Sequence, residues 1–273
     1  MNTRPYDNPH ATFFNGALNY GFLIWALTVR ALREASGGAI IGVLKGILMA
    51  FTFCIAFYLL MSFMGLAGLT VRGDMMVFIL IGVGFFFTAK MTMMAAMKAM
   101  TGSWALTRHP HLTPVLFVYA ESLATLYNWT LAIMTIYIAN GLVKGSFDLQ
   151  EPIMFFPIYF ITWLTGVGAG MVMGFGMFYF SWFAMIKRIL FKLIFFSAGK
   201  FTNANLIPTD MLWFFYWNPL FHLIDQMRDA AFVNYTARKT NLEYPIFVCL
   251  GLLLLGHILH DYMLRHRNEM TGP

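Results

Sequence analysis

Between Glu151 and Lys187 the chain carries no charged residue. A run of that length and polarity has few physical options. As a helix it exceeds the roughly 20 residues that cross the hydrocarbon of a bilayer. Comparable runs occupy about 39–64, 75–97, 112–141 and 245–264, beside 153–184 itself. A sixth, about 185–201, is shorter and carries Lys187, Arg188 and Lys192 near its start. Those cations can snorkel to the headgroups, so it too is expected to cross. The prediction is an all-α membrane protein with six transmembrane helices. Composition agrees: 59% of residues are hydrophobic and 11% charged, against about a quarter charged in soluble domains.

The net charge of +6 does not indicate nucleic acid, because the basic residues are scattered at segment ends. There they act as topology signals. With both termini on the cytoplasmic side, Lys and Arg divide eleven to six in favour of that side, with Lys90 inside a helix. The first apolar span begins near Ala39, too late for a cleavable secretory signal, so the N-terminal segment is expected to be retained. Residues 1–38 read as a cytoplasmic N-terminal region and 39–273 as one transmembrane domain. Within the former, Phe22, Trp25, Val29 and Leu32 recur at helical spacing, largely clear of Arg30, Arg33 and Glu34. Two settings fit: a helix lying in the membrane interface, or an amphipathic helix against a soluble partner.

The stretch FFYWNPLFHLIDQMRDAAF, from Phe214, is apolar at first and then broken. Asn218 is a good N-cap and Pro219 is favoured in the first helical turn. One short helix is expected to end and another to begin, with half-helices over about 209–235. Two arrangements fit: a re-entrant hairpin on the outer side, which needs protein or a wet cavity around its backbone, or a surface loop with a helix on the outer leaflet.

The chemistry of catalysis is missing. No phosphate-binding loop, nucleophile elbow, HExxH or CxxC occurs. The chain is therefore not expected to be an enzyme or to hydrolyse ATP itself. His109/His111 and His257/His260 make poor metal sites as pairs, and no metal is expected. Cys54 and Cys249 lie in apolar runs and read as packed thiols. The methionines of KMTMMAAMKAM, from Lys90, read as adaptable packing. Gly166, Gly170 and Gly174 form a small-residue stripe for close helix contact. Lys90 and Glu121, each about 12–14 Å from the cytoplasmic helix ends at 1.5 Å per residue, are expected to form an intramembrane ion pair.

The order of these features resembles the membrane permease of type 2 ABC exporters, especially those that export capsular polysaccharide. LIWALTVRALREASGGAIIGVLKGILMAF, from Leu23, looks like that family's interface helix entering the first span. TGSWALTRHPHLTP, from Thr101, lies where the family has a cytoplasmic contact loop. FFSAGKFTNANLIP, from Phe195, and YWNPLFHLIDQMRDAAFVNY, from Tyr216, match its tail, with an aromatic-Asn-Pro-Leu motif and a following Arg. The chain departs from the family at MIKRI, from Met185, which lacks an acid, and at Ser197-Ala198-Gly199, where Ser-Gly-Val is frequent.

The resemblance implies a permease in the bacterial inner membrane that pairs with a second copy of itself. Two separate ATPase subunits would bind ATP-Mg, and this chain would bind no cofactor. Lipid, periplasmic and outer-membrane export components are further partners, with no nucleic acid. Arg30, Arg33, Arg108, His109, Pro110 and His111 are the implied ATPase contacts. Trp217, Asn218, Pro219 and Arg228 belong to an outer gate. Trp213, Phe214, Phe215 and Trp217 would offer sugars a sliding surface. The implied substrate is a polysaccharide, as lipid-linked capsular glycan; the same machine could carry O-antigen, teichoic acid, lipid or drug. A non-transporting membrane scaffold is the reading from a different class.

Overall fold

A computed structural model describes residues 9–34, 39–63, 65, 73–102, 113–145, 147 and 149–266. The described residues form nine α-helices and two 3-10 turns, with no strand among them. In order the helices are α1 (Pro9–Glu34), α2 (Ala39–Phe63), α3 (Met75–Gly102), α4 (Pro114–Lys144), α5 (Pro152–Tyr179), α6 (Phe183–Ser197), α7 (Trp213–Tyr216), α8 (Pro219–Ala231) and α9 (Glu243–Arg265).

Five of these, α2 to α5 and α9, are long and apolar enough to cross a membrane. Local chemistry sets several of their ends. Pro114 and Pro152 stand in the first turns of α4 and α5, where a missing N–H costs nothing. Gly145 closes α4 with φ of 73°, its N–H donating to the Gly141 carbonyl. That left-handed cap is cheap for glycine. The sixth expected span, α6, has only 15 residues. At 1.5 Å per residue it reaches about 22 Å, short of a hydrocarbon core of about 30 Å. The N-terminal helix starts at Pro9, well before the periodic residues that begin at Phe22.

α3 is the centre of the bundle and is buried nearly all round. Phe78, Phe85, Phe86 and Phe87 are its largest enclosed side chains. α5 runs parallel to it along the predicted glycine stripe. Gly166 abuts Ala89 and Thr92, Gly170 abuts Met93 and Ala96, and Gly174 abuts Met97 and Met100. A Cβ on Gly170 would stand 2.6 Å from that of Ala96. In lipid, where burial from water supplies little drive between helices, such close packing holds them together. α9 runs along the other side of α5, with Gly168 against Leu252 and Gly256 against Met171. α4 is antiparallel to α3, and Phe87 stacks on Trp129 at 5.2 Å.

α1 lies on α4. Its packed side is Thr28 and Ala31, not the predicted stripe alone. Phe22 and Trp25 of that stripe are 70% and 68% exposed.

Candidate functional site

The broken segment is where the chain concentrates its buried polar side chains. α6 ends at Ser197, and Gly199 turns the chain with φ of +60°. The loop then passes through two 3-10 turns (Ala204–Leu206 and Thr209–Met211) into α7. Asn218 separates α7 from α8, and its side chain has three partners. Its Oδ1 accepts the Leu220 N–H at 3.0 Å, capping α8. Its Nδ2 donates to the Ile194 carbonyl at 3.1 Å and the Ser197 hydroxyl at 2.9 Å. An apolar residue there would lose the cap and leave buried groups on α6 unpaired.

Further along α8, Arg228 is 1% exposed. Its guanidinium donates to the carbonyls of Gly199 at 3.1 Å, Thr202 at 2.9 Å, and Lys200. Its flat face lies 3.6 Å from the Phe78 ring centroid. Five fixed donors on a plane suit such a turn of carbonyls. Asn218 and Arg228 therefore grip the same chain segment, the end of α6 and its turn, from two points on α8.

Lys200, on that turn, is 2% exposed. Its Nζ donates to the Phe195 carbonyl at 2.7 Å. Two rings frame it, with centroids at 2.9 Å for Phe195 and 3.9 Å for Phe86. Among the described residues no ion pair involves Lys200 or Arg228. The nearby acids serve the returning chain. Asp225 accepts from Tyr235 and, at 2.8 Å, from Thr240. Asp229 accepts the Ala237 N–H at 3.1 Å.

The depth of α8 follows from its neighbours. The Lys200 carbonyl meets α3 at Gly82, about two turns or 10 Å from Met75 along the helix. Phe221, in the first turn of α8, packs over Gly199. At the other end, the carbonyls of Ala230 and Ala231 accept from Glu151 at 2.8 Å and Gln150 at 3.3 Å, at the start of α5. α8 thus rises from within the bundle to its Met75 end. α9 begins beside it, with the Tyr244 hydroxyl donating to the Trp217 carbonyl at 2.7 Å.

At that same end Asp74 meets Lys144 at 2.5 Å and also accepts from Asn140 and, at 2.8 Å, from Met76 N–H. Burial pushes its carboxyl pKa up, but these hydrogen bonds and the Lys144 charge outweigh that and hold it below the usual value.

The other expected sites divide. Arg108, His109, Pro110 and His111 lie outside the described residues. Arg30 and Arg33 are exposed near the end of α1, with Arg30 paired to Glu34 at 2.6 Å. The aromatics before Asn218 do not form one face. Trp213 and Trp217 are exposed, whereas Phe215 packs on Phe221 at 5.3 Å between centroids.

The expected Lys90–Glu121 ion pair is absent. Lys90 stands by the Phe87 ring at 5.4 Å, and the charges near Glu121 are Lys98, Glu34 and Arg30. The helix ends explain the error. α3 runs on to Gly102 and α4 begins at Pro114. Lys90 is therefore about 18 Å, and Glu121 about 10 Å, from those ends. Lys200 and Arg228 are two of the six charges counted for the outer side; both are enclosed by protein. The Asn-Pro break and following Arg marked the segment; nothing local marks Lys200, whose ring partner Phe86 is distant in sequence. Among the described residues no group of three or more metal-ligating side chains occurs. No family model and no curated protein matches the chain.

Proposed function

We propose that the chain is the permease subunit of an ATP-driven exporter that moves polysaccharide, as lipid-linked capsular glycan, across the bacterial inner membrane. It works as a homodimer with two separate ATPase subunits. The observation that carries this reading is the double grip of Asn218 and Arg228 on the turn after α6. A helix drawn into an apolar bundle and tied there by buried polar side chains is suited to be a lid. A passive anchor has no need of it.

In this reading both termini are cytoplasmic and the Met75 end of α3 is outermost. α6 is the sixth crossing, short, with Lys187, Arg188 and Lys192 at the cytoplasmic headgroups. The turn after it and α7–α8 form a re-entrant outer hairpin, its backbone received by protein as the bilayer requires. α1 lies in the cytoplasmic interface, with Phe22 and Trp25 toward lipid. Arg30, Arg33 and the segment Arg108 to His111 meet the ATPases. ATP-driven closure then moves α1, and through it α4 and the bundle. The lid lifts as its hold on the α6 turn is released. Exposed Trp213 and Trp217 offer passing sugars weak, repeated contacts.

The test is purification of the tagged chain from its native host, followed by an export assay. A stoichiometric ATPase should accompany it. Asn218→Leu combined with Pro219→Ala should leave the ATPase bound and impair export or make the membrane leak. Unchanged export by that variant, or recovery of the chain with no ATPase, contradicts the reading.

A further inference from the structure

The charges on the membrane helices are unevenly placed. α2, α3 and α6 carry Lys45, Lys90, Lys98, Lys187, Arg188 and Lys192 and no Asp or Glu. Lys200 follows directly after α6. These three helices are also neighbours across one face of α3. α2 reaches that face through Phe53 on Phe87 at 4.7 Å, and α6 through Phe195 on Phe86 at 5.4 Å. Phe57 of α2 stacks on Phe201, beside Lys200, at 3.4 Å.

Lys90 and Lys200 lie on this face within one turn of each other. The Lys200 ammonium sits over Phe86, and Lys90 is one helical turn further along α3. Their ammonium groups stand by adjacent rings, Lys200 over Phe86 and Lys90 beside Phe87, whose centroids are 5.3 Å apart. Lys90 is half-buried, with no hydrogen bond or ion pair among the described residues. It stands in the middle of α3. At 1.5 Å per residue it is about 18 Å from the Gly102 end of α3 and about 22 Å from the Met75 end. Ionisable groups at such depth normally pair with one another or face a polar pathway. Two cations brought together without an acid leave the second role.

We propose that Lys90 and Lys200 form a binding site for an anionic group, a phosphate or a carboxylate, on the substrate that passes the α2–α3–α6 face. Lys90 is the accessible member. Lys200 is held in reserve under the α8 lid, its ammonium occupied by two rings and one carbonyl, and joins when the Arg228 contacts to its turn are released. The proposal rests on the exporter reading for the passage of substrate, but not for the binding itself. It names a substrate class: a glycan that is charged along its chain or at the phosphate of its anchor. A neutral polymer on an uncharged anchor has nothing to offer these lysines.

Equilibrium dialysis of the full chain in nanodiscs of uncharged lipid tests it, with three probes: oligogalacturonate, maltooligosaccharide of equal length, and inorganic pyrophosphate. At least one anionic probe should bind and the neutral one should not. Lys90→Gln should weaken that binding about tenfold, the worth of one charge-assisted hydrogen bond. Lys90→Arg should retain it, and a melting temperature matching the parent shows that the Gln variant is folded. Binding of oligogalacturonate assigns the charge to the polymer, and binding of pyrophosphate alone assigns it to the anchor. Equal binding of all three probes, binding of none, or indifference to a folded Lys90→Gln overturns the proposal. Loss of the exporter reading would show instead as a chain with no ATPase, whatever these probes do.

Discussion

The Asn218 side-chain nitrogen lies 2.9 Å from the Ser197 hydroxyl, joining the start of α8 to the end of α6. The same side chain caps α8 and donates to Ile194. Asn218→Ala removes all three bonds and is expected to destabilise the protein by about 2–3 kcal/mol, one cap and two buried hydrogen bonds at about 1 each. Ser197→Ala removes one of these three together with the hydroxyl's own bond to the Leu193 carbonyl at 2.7 Å, and should lose about 1–2 kcal/mol. Denaturation in mild detergent measures both. Equal losses would mean that the cap and the Ile194 bond together contribute no more than the Ser197–Leu193 bond.

Arg228→Lys keeps the charge but not the fork. A single ammonium cannot serve carbonyls of Gly199, Lys200 and Thr202 together. A loss of about 2–4 kcal/mol is expected, from hydrogen bonds to a charged donor. Limited proteolysis should show faster cutting between 198 and 212. A lysine variant as resistant as the parent would show that charge alone holds the turn.

Gly82 and Gly251 should respond oppositely to alanine. A Cβ on Gly82 would collide with the Lys200 carbonyl and stand 2.9 Å from the Arg228 guanidinium. Overpacking of this kind is worth about 1–3 kcal/mol. Gly251, mid-helix in α9, has nothing within 4 Å. Alanine there should be neutral or stabilise by up to about 1 kcal/mol. Thermal melts decide between this ordering and its reverse.

Asp74 makes stability depend on acid pH. Its folded pKa is depressed, so its contribution is full above the unfolded carboxyl value of about 3.9. It is lost as pH falls through the lower folded value. Denaturation at pH 5 and pH 3 should show a loss that Asp74→Asn largely abolishes. An identical loss in both proteins would place the acid sensitivity elsewhere.

Much of the bundle was legible because lipid imposes simple rules. Apolar runs located α2, α3, α4, α5 and α9, and the glycine stripe of α5 does pack on α3. Asn218-Pro219 marked the start of α8, since capping is local chemistry. What was not legible depends on meetings between distant residues. Lys90 and Glu121 looked level only because the end of α3 was placed about a turn early and the start of α4 about half a turn early. Lys200 entered the sequence reading only as a charge counted for topology, and only the fold brings Phe86 and Phe195 around it. The packed side of α1 was obscured because Thr28 and Ala31 are small, whereas Phe22 and Trp25 dominate the pattern.

The most direct measurement is the sidedness of the hairpin. Single cysteines at Asp210 and Asn234, both exposed, flank α7 and α8 in a background with Cys54 and Cys249 replaced by alanine. An impermeant maleimide added to intact cells should label both positions, and should reach a cysteine at Arg188 only after the cells are opened. Labelling of Asp210 and Asn234 from opposite sides would mean that the segment crosses the membrane, and the lid would not exist.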